Sequence, residues 1–271
     1  LTHTDSERTV RGPPTEGKFL AVVAKSIVRK NAGALLDTPV RRKGSTHLVT
    51  RAALKDGSLL SSLAASAPAA IRFTSTAERE VSLQEILRRH DPAQDVWLFA
   101  YGSLMWNPAI RFVEARTGLL HGWHRRYCLW VLVARGTPEN PGLMLALDNG
   151  GACRGTVMRI QSNKVKSELP LVWGREMITD AYRPRWVDIS TPSGPVRAIT
   201  FVINRRHPRY AGRLSDAQAA VHIASARGVL GTCAEYFEKT RSKLRSMGLR
   251  DAGLERIAAH LEGQSTRQLG R

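Results

Sequence analysis

Cysteine is scarce in this chain: 271 residues contain only Cys128, Cys153 and Cys233, with no C-x-x-C pair among them. That spacing excludes a disulfide framework and a thiolate metal knot, and a sparse, odd count suits a reducing, cytoplasmic setting. Long apolar runs are also missing, and none approaches the ~20 residues that a membrane-spanning helix needs. There is no metal-ligand spacing, no phosphate-binding loop and no G-x-S-x-G nucleophile elbow. Acidic residues are in deficit, with 23 Asp and Glu against 41 Lys and Arg and a net charge of +18. Such a surface attracts polyanions and also steers small anionic substrates. The basic residues, however, are spread along the whole chain, with short clusters only at 41–43 and 205–206. With no zinc-finger, RNA-recognition or K-homology signature, specific nucleic-acid recognition is not indicated.

What is present is a sizeable apolar fraction, 42% of residues, enough for a globular core. Composition divides the chain. Residues 1–80 are rich in Ser, Thr, Ala and basic residues, with Pro13-Pro14 near the front and a run of low complexity at 61–70. This part reads as a poorly ordered extension that carries no chemistry, with a cleavable targeting peptide as the alternative. The chain begins at Leu1 rather than at methionine, which reads as a processed chain, a truncated one or one translated from an uncertain start. Residues 81–271 read as the folded domain.

Within that domain, Ser82 and Glu85 have capping-box spacing and predict a helix that ends at Asp91-Pro92. The run 96–101 is continuously apolar and predicts a strand buried on both faces. Strand patterns follow at 119–133, 143–147 and 155–160, with Asp148-Asn149-Gly150-Gly151 predicted as a hairpin turn between the last two. Further strands are expected at 185–189 and 197–203. Helices are expected at 167–177, from Ser215-Asp216 to about 227, from Thr232 through Met247, and at 251–262. Successive short strands argue for a closed or nearly closed sheet, and the class is α+β.

The densest signal is VWLFAYGSLMWNP at 96–108, in which a buried strand breaks at Gly102-Ser103 into a loop with accessible N–H groups. Such loops hold anionic groups or developing oxyanions. The stretch resembles the N-terminal signature of the ChaC-type gamma-glutamylcyclotransferases, the glutathione-degrading branch of that superfamily. The likeness continues in order through GLLHGWHRRYCLW, GGACRGTVMRI, WGREMITDAYRPRWV, AITFVINRRHPRYAG and ARGVLGTCAEYFEKT, over roughly residues 95–251. It implies a small mixed β-barrel flanked by helices. It also implies that glutathione is cyclised without metal or cofactor, releasing 5-oxoproline and cysteinylglycine.

The resemblance assigns residues as well. WGREM matches the family segment with the catalytic glutamate, which here is Glu176. A carboxylate among apolar neighbours has a raised pKa and can take and then return a proton, although adjacent Arg175 opposes that shift. Tyr101, Gly102, Ser103 and Leu104 match the cradle for the γ-glutamyl group, and Tyr236 matches the family's pocket tyrosine. Tyr182 is a secondary candidate for shaping the pocket. Ser103 has no histidine–acid partnership and reads as a hydrogen-bonding residue. Arg111, Arg125, Arg126, Arg183 and Arg185 are candidates for gripping the glycyl carboxylate. His121, His124, His207 and His222 read as structural. The alternatives are a cyclotransferase for other γ-glutamyl amines or dipeptides, and a non-catalytic regulatory or polyanion-binding protein.

Overall fold

In the computed structural model, which describes residues 49–269, helices α1 (Arg51–Lys55), α2 (Ser58–Ala65) and α3 (Thr76–Leu87) precede the first strand. Then come β1 (Val96–Ala100), a single 3-10 turn at Ser103–Met105, and the two long strands β2 (Glu114–Val131) and β3 (Gly142–Ile160). Helix α4 (Ser162–Glu176) leads to β4 (Tyr182–Ser190), β5 (Val196–Ile203) and α5 (Asp216–Ser225). A small ribbon of β6 (Arg227–Gly228) and β7 (Gly231–Thr232) introduces α6 (Cys233–Ser246), and α7 (Ala252–Leu269) follows.

The main strands close into a barrel in the order β1-β3-β2-β4-β5. Successive strands in that order are antiparallel except where β5 meets β1, pairing Trp97 with Ala198 and Leu98 with Ile199 in parallel, and β5 also meets β3 in parallel at Leu147 and Val202. The sheet is therefore mixed and the class is α+β, as the sequence predicts. Val96, Leu98, Leu143, Leu147, Val157, Ile160 and Ile199 are fully buried, so the apolar runs of the strands fill the barrel. Helices α3 and α4 pack together on one side, and α5, α6 and α7 on another.

Three local expectations are corrected. The segment 148–151 is no hairpin turn. β3 runs straight through it, pairing with β2 on both sides, with Asp148 opposite His124 and Ala152 opposite His121. Gly122 (φ 79°), Gly150 (φ 96°) and Gly151 (φ 67°) absorb the register shift as a bulge. Asp148 is fully buried, where its carboxylate accepts from Arg205 Nε at 2.7 Å and Tyr210 Oη at 2.9 Å. Turn chemistry signals a bend; only the partner strand decides that the chain does not reverse.

The cap of helix α3 lies seven residues, about two turns, before the expected one. Ser75 and Glu78 form the capping box, while Ser82 Oγ instead accepts from Trp173 Nε1 at 3.2 Å. Two boxes in the sequence compete, and the earlier wins because Thr74 N is anchored on Ile178 O at 3.0 Å. Helix α4 likewise starts at Ser162, leaving Pro170 inside it rather than in its first turn. An interior proline costs about 3 kcal/mol, a loss that burial of Leu169, Leu171, Val172 and Trp173 on the same helix offsets.

The boundary near residue 80 does not mark the start of order. Residues 49–80 are folded: Leu59 and Leu63 of α2 are buried, and Arg51 forms a bidentate pair with Glu168, one arm at 2.6 Å. The sequence reading of residues 1–48 lies outside the described residues.

Candidate active site

The loop after β1 is fixed from several sides. Tyr101 Oη donates to Phe201 O at 2.8 Å inside the barrel. Arg125 Nε donates to Tyr101 O at 2.6 Å, its Nη1 reaches Asp251 at 2.5 Å and its Nη2 donates to Arg154 O at 2.6 Å. The 3-10 turn then curls the chain back, with Asn107 N donating to Ser103 O at 2.8 Å. A methyl group at Gly102 would lie 2.9 Å from the Tyr236 hydroxyl oxygen, so glycine lets this loop rest against that tyrosine.

Tyr236 is positioned by the start of α6, where Thr232 Oγ1 accepts from Glu235 N at 3.0 Å and caps the helix. Its ring meets Trp106 and Tyr127 edge-on, at centroid distances of 6.0 and 6.4 Å, and the Arg135 guanidinium lies 5.6 Å from its centroid. Burial raises the phenol pKa, and the charge of Glu176 adds to that, against the pull of Arg135 and Arg175.

Glu176 is the last residue of α4, so its side chain emerges where the helix stops. Burial raises its carboxyl above the ordinary range, and Arg175 opposes the rise from 3.1 Å. Arg175 is in turn held by Asn107 O, which accepts from its Nη1. One contact network therefore links the helix end that carries the carboxylate to the loop that follows the cradle.

These elements converge on a cavity of about 1000 Å³ lined by Ser103, Trp106, Arg135, Arg175, Glu176 and Tyr236, among others. Of the sequence-predicted residues, Ser103, Glu176, Tyr182 and Tyr236 reach it. Tyr101, Gly102 and Leu104 stand behind Ser103; Leu104 is core, and the Tyr101 hydroxyl is occupied within the barrel. Tyr182 Oη donates to Leu145 O at 2.8 Å, so this residue offers its ring rather than its hydroxyl.

None of the arginines singled out from the sequence lines this cavity. Arg125 is committed beneath the loop, Arg126 faces Asp148 at 3.4 Å, and Arg183 pairs with Asp180 at 3.4 Å. Arg185 lies over the Trp123 ring, and Arg111 donates its backbone N–H to Glu168 at 2.9 Å. Arg135 and Arg209 take their place, with Lys239 and Lys243 also in the lining. Arg135 is buried and donates to Thr232 O at 2.8 Å; Arg209 donates to Thr179 Oγ1 at 2.5 Å. The one sequence hint to Arg135 was its place at the end of an apolar strand, before Gly136. There a Cβ on Gly136 would sit 2.3 Å from Gly142 N, so the chain crosses too closely for any side chain.

The cavity can hold an anionic peptide between cations and present it to a carboxylate that exchanges protons. Among the described residues, no group of three His, Cys, Asp or Glu side chains is placed to hold a metal ion.

Comparison with known proteins fits this geometry. The family model described as ChaC-like protein matches residues 96–264. The glutathione-specific gamma-glutamylcyclotransferase of Escherichia coli K12 is 42% identical over 181 residues, covering 66% of this chain and 78% of that one. The human glutathione-specific gamma-glutamylcyclotransferase 1 is 28% identical over 181 residues, covering 65% and 81%. A crystal structure of the yeast gamma-glutamyl cyclotransferase specific to glutathione superposes with a TM-score of 0.55 at 19% identity, covering 61% of this chain and 96% of that chain, and so shares the fold.

Proposed function

This chain belongs to the ChaC-like family, and from that premise we propose that it is a glutathione-specific gamma-glutamylcyclotransferase with Glu176 as its proton-transfer group. The observation that carries the proposal is a raised-pKa carboxylate opening into the same cavity as Ser103 and Tyr236.

In this reading the α-amine of glutathione attacks its own γ-carbonyl. A new C–N bond closes the five-membered ring, and the original amide C–N bond breaks. The amine is nucleophilic only after losing a proton, and the departing nitrogen of cysteinylglycine must gain one. Glu176 takes the first proton and returns it to the second nitrogen, so acid and base are one group. A carboxylate with ordinary pKa would be a weak base toward an ammonium; burial narrows that gap, while Arg175 opposes the rise.

The reaction is intramolecular, so holding the γ-glutamyl arm folded removes much of the barrier. The loop at Gly102-Ser103 is suited to that task. Its backbone lies against Tyr236, and in this reading its amides serve the substrate α-carboxylate or the carbonyl oxygen as charge develops. Arg135, buried beside Tyr236, is suited to the glycyl carboxylate, because a guanidinium already held at one nitrogen loses little freedom on gripping an anion. We place the activity in the cytoplasm, supported by three free and buried thiols.

The test is direct. Purified protein incubated with glutathione is expected to release 5-oxoproline and cysteinylglycine in equal amounts, followed by mass spectrometry. Folded protein that yields neither product overturns the proposal.

A further inference from the structure

The cavity is larger than this reaction asks of it. At about 1000 Å³ it sits at the upper end of the ~300–1,000 Å³ that ligand pockets occupy, beyond what a tripeptide fills. The excess is apolar and lies on one side. Leu59, Leu63 and Val133 form a buried cluster separate from the barrel core, with Ile71, Phe73 and Ile178 packed against it. Each of these side chains also lines the cavity.

This wall is held next to the candidate catalytic carboxylate. Thr74 N donates to Ile178 O at 3.0 Å and Thr74 Oγ1 donates to Met177 O at 2.5 Å, which binds the 71–74 segment to the residues directly after Glu176. At its other end Asn107 Nδ2 donates to Val49 O at 2.9 Å, and Arg51 pairs with the buried Glu168. The apolar surface is therefore part of the site.

Substrate chemistry indicates what belongs there. Glu176 must reach the amide nitrogen of the cysteinyl residue, and two branches diverge from the carbon next to it. The glycyl carboxylate seeks the cations Arg135 and Arg209, since Lys239 is paired with Glu235 at 2.7 Å. The other branch carries the sulfur, and a bare thiol leaves the apolar half of the cavity unfilled.

Building on the proposed activity, we infer that this cavity takes glutathione whose sulfur carries an apolar substituent, an S-alkyl or S-aryl thioether. The bonds made and broken are those of the parent reaction. The α-nitrogen joins the γ-carbon, the γ-amide bond breaks, the proton moves from one nitrogen to the other, and the thioether leaves intact in S-substituted cysteinylglycine.

The experiment compares 5-oxoproline release from glutathione and from S-benzylglutathione by one preparation of the full chain. The expected kcat/KM for the S-benzyl compound is at least a tenth of that for glutathione. Ile71→Asn and Phe73→Asn are each expected to lower the ratio of the two by roughly tenfold or more, the size of effect that apolar pocket contacts carry. Because the ratio is internal to each preparation, it does not depend on how much of a variant is folded. Turnover of glutathione with the S-benzyl compound below a tenth overturns the inference alone, as does a ratio that neither variant moves. If neither compound yields 5-oxoproline, the parent activity falls and the inference with it.

Discussion

Arg125 Nε donates to the backbone carbonyl of Tyr101 at 2.6 Å, so a fully committed arginine on β2 holds the end of β1 from below. The same guanidinium bonds Asp251 and the carbonyl of Arg154, and its side chain is 1% exposed. Sequence reasoning offered Arg125 as a substrate-gripping cation; the structure makes it a positioning residue for the Tyr101–Leu104 loop.

Replacing it tests that role. Arg125→Gln leaves the buried Tyr101 carbonyl, the part-buried Arg154 carbonyl and a partly buried Asp251 without their donor, and is expected to destabilise the fold by about 3 kcal/mol. Below its melting temperature the folded variant is expected to show kcat reduced roughly tenfold, because small displacements of positioning groups are costly. A lowered Tm with wild-type kcat would make Arg125 structural and nothing more.

With Glu176 as the proposed proton-transfer group, its surroundings predict the pH dependence. Its carboxyl pKa is raised by burial, so the group remains protonated, and useless as a base, to a higher pH than an ordinary glutamic acid. The acidic limb of kcat/KM is therefore expected above the ordinary value of about 4.3. Arg175→Gln removes the opposing charge and is expected to move that limb further up. Glu176→Gln is expected to bind substrate and lose turnover by roughly 10²–10⁴-fold, as loss of a general acid–base group does. A limb at or below the ordinary value, or an active Gln variant, would take Glu176 out of the mechanism.

Gly102 and Tyr236 share one narrow space. The added methyl of Gly102→Ala would meet the hydroxyl oxygen at 2.9 Å, tighter than side-chain contacts allow. This variant is expected to lose roughly tenfold to 10²-fold in kcat/KM with little change in Tm. If the cause is that contact, the same substitution in a Tyr236→Phe background costs less, which a double-mutant cycle measures. Additive losses would refute the close-approach account.

Arg51 and Glu168 fasten the N-terminal wall. Glu168 is 1% exposed, and its oxygens accept from both Arg51 nitrogens and from Arg111 N at 2.9 Å. Arg51→Ala strands that carboxylate and is expected to cost about 3 kcal/mol, read from denaturant unfolding. It is also expected to speed proteolysis within 49–75 before the barrel is cut. Uniform protection across the chain would show that the pair does not hold the segment.

Much of this protein is written locally. The continuous apolar run of β1 and the helix starts at Ser215 and Thr232 depend on neighbours a few residues away, and the structure forms each of them. Glu176 and Tyr236 are legible because an ordered set of motifs resembles one family, and the cavity contains both. Other features depend on partners distant in sequence. Asp148-Asn149-Gly150-Gly151 carries a turn signal, yet it becomes a bulge because β2 continues alongside it. Ser75 rather than Ser82 caps α3 because Ile178, a hundred residues away, anchors the chain just before it. Arginines look alike in a sequence; what separates Arg125 beneath the loop from Arg135 in the cavity is which carbonyls and carboxylates surround each one. The sequence determined the elements and the chemistry of the site, because backbone propensity and side-chain type are local properties. Tertiary structure decided which cations line the cavity, where the chain bends without reversing, and that residues 49–75 form a wall of the cavity, because burial and hydrogen-bond partners exist only once distant segments meet.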